Sequence, residues 1–147
     1  MQLPIKIGKL SAVDLDRVME IEEENFRYPW PRAFFLNDLA SPQSICLGGW
    51  ADGRLIVYSL AMVASVELHI TNIAVYKDCQ RRGLAGRMMA EMEGEGKRRG
   101  CSYAYLEVRA SNGPAIELYR KLGYGFAYSR RGYYLDGEDA HVMEKVL

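Results

Sequence analysis

The chain lacks an excess of charge of either sign: 19 lysines and arginines face 19 aspartates and glutamates. No net field therefore favours nucleic acid or a membrane surface, and any anion site must be local. No apolar run is long enough to span a bilayer. Met1 to Leu10 carries two lysines and no apolar stretch of useful length, so it does not read as a signal peptide. Cysteine is scarce. Cys46, Cys79 and Cys101 are scattered, odd in number and without metal-ligand spacing, which argues against a disulfide framework or a metal site. The expectation is a cytoplasmic protein with reduced thiols, no metal, no membrane contact and no direct nucleic-acid binding. Repeats, linkers and low-complexity stretches are also missing, and 147 residues suit a single domain spanning 1–147.

What is present is an ordinary globular composition, 49% hydrophobic and 26% charged, with ten tyrosines, several of them near the C-terminus. The patterning predicts a mixed α/β (α+β) chain. Pro4–Lys9 reads as a short strand, and Ser11 with Asp14 three residues on reads as a helix start. Leu15, Val18, Met19 and Glu22 follow helical spacing, and Pro31 opens a second helix through Ala40. Strands follow at Ser44–Trp50, Arg54–Val63 and Val66–Val75, the first two joined by Ala51-Asp52-Gly53. A helix over Gly83–Arg99 contains Gly94 and Gly96, which weaken its second half. A strand at Tyr103–Val108, a helix at Gly113–Leu122 capped by Gly123, and strands at Tyr124–Arg131 and Asp139–Val146 complete the chain. The central strand-helix-strand order implies parallel pairing by crossover, and the flanking hairpins imply a mixed sheet.

The stretch "VELHITNIAV" changes phase. Val66, Leu68 and Ile70 share one face by period two, whereas Ile73 and Val75 have the opposite parity. One extra residue near Asn72 reconciles the two sets as a β-bulge, which would leave backbone groups open to a ligand. A strand buried on both faces is the alternative.

After this strand comes "QRRGLAG", Gln80 to Gly86. Glycines at a strand-to-helix junction let backbone approach a ligand, and free N–H groups with the helix dipole bind phosphate. Arg81, Arg82 and Arg87 add local positive charge. A capped helix with solvated arginines is the plainer reading. The stretch is neither a dinucleotide fingerprint nor a P-loop. It resembles the Q/R-x-x-G-x-G/A acyl-CoA pyrophosphate loop of the GNAT N-acetyltransferases, with Gln80, Gly83 and Ala85 at the defining positions. Further on, "LEVRASNGPAIELYRKLGY" and "GYYLDGEDAHVM" resemble the protein N-terminal branch of that family. The branch includes bacterial ribosomal-protein-alanine and archaeal N-terminal acetyltransferases and the NatA catalytic subunit.

The resemblance implies the GNAT fold, a mixed sheet of about seven strands with a bulged strand and flanking helices, and acetyl-CoA as cosubstrate. It implies pantetheine beside Ile73, Ala74 and Val75, pyrophosphate on the amides of Arg81, Arg82, Gly83, Leu84, Ala85 and Gly86, and a cofactor contact from Asn112. Glu107 aligns with the proton acceptor, Tyr119 with the proton donor to the departing thiolate and cofactor contact, and His69 with an archaeal histidine thought to assist deprotonation. Tyr28, Tyr133 and Tyr134 become candidates to hold the substrate peptide. The expected acceptors are protein or peptide N-termini, a ribosomal protein among them.

The residues themselves leave other readings open. Glu107 shares a strand face with Tyr103 and Tyr105, and a carboxylate on a central strand is costly unless paired or used; Arg109 or a lysine would satisfy it. Tyr119 at helical spacing suits a core position, His69 a structural one, and the Tyr133–Tyr134 pair an exposed hairpin tip. The acceptor amine must be neutral to attack, and an α-amine (pKa about 7.7–8.0) is roughly 2.5 units easier to deprotonate than lysine, about 3.4 kcal/mol. "FRYPW" at 26–30 matches the bacterial type and "YYLDGEDA" the archaeal or NatA type, so the preferred first residue stays open. Transfer to a small amine or lysine side chain, or a non-catalytic acyl-CoA-binding module, are the competing functions.

Overall fold

A computed structural model describes residues 3–147; the first two residues of the segment read above for a leader lie outside it. Ser11 and Asp14 do form a capping box, with the Asp14 carboxylate accepting from the Ser11 N–H at 2.9 Å. The box starts a short 3-10 turn, Ala12–Asp14, which leads into α1, Leu15–Asn25. Helix α2 covers Arg32–Ala40, α3 covers Leu84–Arg98 and α4 covers Gly113–Lys121. The strands are β1 Lys6–Lys9, β2 Ser44–Ala51, β3 Arg54–Ala64, β4 Glu67–Val75, β5 Tyr103–Arg109, β6 Gly125–Arg130 and β7 Ala140–Val146. All seven join one mixed sheet in the order β1-β2-β3-β4-β5-β7-β6.

Apolar side chains cover the sheet on both faces. Leu15, Val18 and Ile21 of α1 and Phe35 of α2 pack with Tyr58, Leu60 and Ala74 on one face. Met88, Met89 and Met92 of α3 pack with Leu68, Ile70, Leu106 and Val108 on the other, joined by Ile116 and Tyr119 of α4. Gly96 does not weaken α3 as its helix propensity suggests. A Cβ there would stand 2.8 Å from the Leu68 side chain, so the missing side chain lets the helix lie directly on β4. Among the described residues no helix is long and apolar enough to cross a membrane, and the three cysteines are free thiols.

The register of β4 resolves the phase slip. Leu60 pairs with Asn72 and Ala61 with Ile70, so Thr71 is the extra residue of a bulge. Leu68 and Ile70 before it, and Ile73 and Val75 after it, all face α3, while Ala74 faces α1. The parallel pairing of β4 with β5 stops after three pairs, Glu67–Tyr103 to His69–Tyr105. Beyond that point β4 pairs with β3 alone and β5 with β7 alone. The two central strands therefore part at the bulge.

Candidate active site

The parting of β4 and β5 opens a cleft of about 800 Å³, closed by the α1–α2 connection on one side and the β6–β7 connection on the other. Strand alternation sends Ala104, Leu106 and Val108 into the core and turns Glu107 to the opposite side. Its side chain is only 8% exposed. Oε1 lies 2.6 Å from His69 Nε2 and accepts from the Tyr133 hydroxyl at 3.3 Å. Oε2 is buried with no hydrogen bond from the described residues, and Arg130 Nε stands 3.8 Å away. Oε1 is thus held by two neighbours, and Oε2 lies beside the Arg130 guanidinium. Arg109 does not satisfy Glu107. It pairs instead with Asp136 and Glu138, both at 2.9 Å, and lies over the Tyr134 ring at 4.1 Å.

His69 stacks on Tyr105, ring centroids 4.3 Å apart, and touches the cleft only through Glu107. Tyr119 lines the cleft, and burial pushes its phenol up to about 12, so it stays a proton donor at neutral pH. Tyr133 and Tyr134 line the cleft with rings packed edge to face at 5.1 Å. Burial, then the Tyr133 hydroxyl, raises Tyr134 to about 12; burial, then the Glu107 charge, raises Tyr133. Tyr28 reaches the same cleft from the α1–α2 connection.

Of the cofactor residues expected from sequence, Ile73 and Tyr119 line the cleft itself. Val57 pairs with Val75 and Ser59 with Ile73, and the Tyr76 N–H donates to the Ile56 carbonyl at 2.7 Å. In such an antiparallel ladder the N–H and C=O of Ile73 and Val75 point away from β3, whereas those of Ala74 point into it. The Val75 carbonyl already accepts from Asn25 Nδ2 and Gln80 Nε2, at 3.0 and 3.2 Å. The open groups are therefore both of Ile73 and the N–H of Val75. Gln80 serves the turn itself, tying α1 to the end of β4 through Asn25. Arg81 and Gly83 both take left-handed φ, 63° and 76°, and Gly83 caps α3. The amides of Leu84, Ala85 and Gly86 follow as the first turn of a 15-residue helix, where N–H groups lack intrahelical partners. Asn112 caps α4, its side chain accepting from the Ala115 N–H at 3.2 Å, so its oxygen is engaged within the fold.

One group at the cleft was not singled out from sequence. Glu22 is 1% exposed and lines the cleft beside Asn72. The signal available was an acid at an apolar position of the first helix stripe.

Comparisons with known proteins agree with this geometry. The Acetyltransferase (GNAT) family model matches residues 15–124. A [ribosomal protein bS18]-alanine N-acetyltransferase of Salmonella typhimurium is 36% identical over 140 residues, covering 93% of this chain and 94% of its own. The N-alpha-acetyltransferase RimI of Mycobacterium tuberculosis is 35% identical, covering 97% and 92%. The crystal structure of the Escherichia coli ribosomal-protein-S18-alanine N-acetyltransferase superposes with a TM-score of 0.89 at 33% identity, covering 97% of this chain and 94% of its own. The chain belongs to the GNAT acetyltransferase family.

Proposed function

We propose that this chain, acting as one catalytic domain, transfers an acetyl group from acetyl-CoA to the α-amine of a protein N-terminus, that of a ribosomal protein among them. The observation that carries the reading is one cleft, opened by the parting of β4 and β5, that is lined by both the Glu107 carboxylate and the protonated Tyr119 phenol.

Acetyl-CoA supplies the activated acyl thioester. The open backbone groups of Ile73 and Val75 suit its extended amide-bearing arm. The left-handed Arg81–Gly83 turn and the α3 amides suit its diphosphate, and Arg81 and Arg82 contribute charge. Asn112 would reach the cofactor through its amide nitrogen, because its oxygen caps α4. Glu107 takes a proton from the incoming ammonium, directly or through a water, and passes it to solvent. The neutral amine nitrogen bonds to the acyl carbon as the carbon–sulfur bond breaks, and the second proton it sheds on becoming an amide leaves through the same carboxylate or water. Tyr119 gives its proton to the departing sulfur and regains one from solvent. His69 and Tyr133 fix the Glu107 carboxylate through Oε1. Tyr28 and Tyr134 flank the peptide, and the low pKa of an α-amine relative to lysine lets a carboxylate serve as the base.

Glu107→Gln and Tyr119→Phe should each lower kcat about a hundred- to ten-thousand-fold, the range for general acid–base catalysis, with acetyl-CoA still bound. The check is steady-state transfer to an N-terminally free peptide beside calorimetric titration of acetyl-CoA. Near-wild-type kcat in both variants would remove these two residues from the chemistry.

A further inference from the structure

We infer that Glu22 is a positioning residue of the acceptor cleft, fastening the α1–α2 connection to strands β3 and β4. The inference rests on reading that cleft as the acceptor site. Glu22 belongs to α1 yet is spent on three other segments. Its Oε1 accepts from the Tyr58 hydroxyl of β3 at 2.5 Å and from Asn72 Nδ2 of β4 at 3.0 Å. Its Oε2 accepts from the backbone N–H of Trp30, in the α1–α2 connection, at 3.0 Å. Among the described residues no cation lies within ion-pair distance of it, so three neutral donors hold this buried carboxylate. Asn72 directly follows the bulge residue Thr71, and Pro29 and Trp30 line the opposite side of the same cleft.

A carboxylate can accept at both oxygens at once, and this arrangement needs both. A glutamine cannot supply it. With its oxygen on Tyr58 and Asn72, its NH2 faces the Trp30 N–H, donor against donor. With its oxygen on Trp30, the Asn72 amide must turn over and the Tyr58 hydroxyl must accept where it donated, so either orientation disturbs the wild-type set. The exchange can be reversed within the same pair. With Asp at position 72, the glutamine NH2 donates to the new carboxylate and to the Tyr58 oxygen, the Tyr58 hydroxyl donates to the same carboxylate, and the glutamine oxygen accepts from the Trp30 N–H.

The test uses the full chain, acetyl-CoA and a short peptide with a free N-terminal alanine. Glu22→Gln should raise peptide KM about tenfold, which corresponds to about 1.4 kcal/mol. The kcat should stay within about threefold, the signature of lost uniform binding, and the acetyl-CoA KM within about twofold. Adding Asn72→Asp should return peptide KM to within about threefold of wild type. An unchanged peptide KM, an equal rise in both KM values, or no recovery in the double variant would overturn the assignment. If Glu22→Gln alone does not fold, the double variant carries the test: near-wild-type peptide KM supports the inference and a raised one overturns it. Failure of wild type to use the peptide would count against the N-terminal reading instead, and the same comparison would then be run on whichever amine it does acetylate.

Discussion

At Glu107 two oxygens of one carboxylate live in different surroundings. His69 and Tyr133 occupy Oε1, and Oε2 is buried without a hydrogen bond from the described residues. In the proposed role of base, Glu107 keeps its direction because the held oxygen fixes the rotamer of the whole carboxylate. Tyr133→Phe removes one donor from the held oxygen and a bond to a charged group, so kcat/KM should fall roughly five- to fiftyfold without loss of fold. Initial-rate measurement at low peptide checks this. Tyr119 makes a prediction in pH. Its proton is retained up to about 12 because the ring is buried. Activity should therefore show no alkaline loss from this group near pH 10, where an exposed tyrosine would titrate; a pH–rate profile reads it directly. His69, expected from sequence near the chemistry, does not line the cleft and touches Glu107, which does.

At the scale of elements, the bulge at Thr71 and the early end of β4–β5 pairing create the opening, and the β6–β7 connection covers it. Arg109 holds that connection down through Asp136 and Glu138. The backbone N–H of Glu138, then Arg109, lowers the Asp136 pKa; hydrogen bonding from Ser111, then Arg109, lowers that of Glu138. Acids depressed in the fold stabilise it above their ordinary values of 3.8 and 4.5, and that contribution fades as pH falls through the lower folded values. Amide resonances of Glu138 and Ser111, whose N–H groups donate to the Asp136 and Glu138 carboxylates, followed by NMR below pH 4.5, should shift before the sheet unfolds. At the α3 start, Gly83 has φ 76° with open space around it, so alanine there meets only backbone strain. Gly83→Ala should cost about 1 kcal/mol in denaturant unfolding.

These elements also mark what was legible in sequence. The phase slip of Leu68 and Ile70 against Ile73 and Val75 announced the bulge, because side-chain parity follows backbone register. Tyr103, Tyr105 and Glu107 were legible as one face of a strand for the same reason. The β4–β5 parting was not, since pairing between distant strands leaves no period in either. Nor was the Glu22 network: its partners Tyr58 and Asn72 lie 36 and 50 residues away in the chain. Asn112 was read toward the cofactor, but the helix it begins claims its oxygen.

Over the whole molecule, one sheet with α1 and α2 on one face and α3 and α4 on the other brings an open strand edge, a carboxylate and a phenol to a single opening. That arrangement suits an extended thioester entering along β4 and a chain terminus entering between the α1–α2 and β6–β7 connections. A neutral overall charge fits an acceptor chosen locally rather than by long-range attraction. The most direct measurement offers the protein one peptide with a free N-terminal alanine and an internal lysine, together with acetyl-CoA, and locates the added acetyl group by tandem mass spectrometry. N-terminal transfer predicts the acetyl group on the α-nitrogen and the lysine unmodified. Acetyl groups on the lysine ε-nitrogen, or on neither amine, would contradict it.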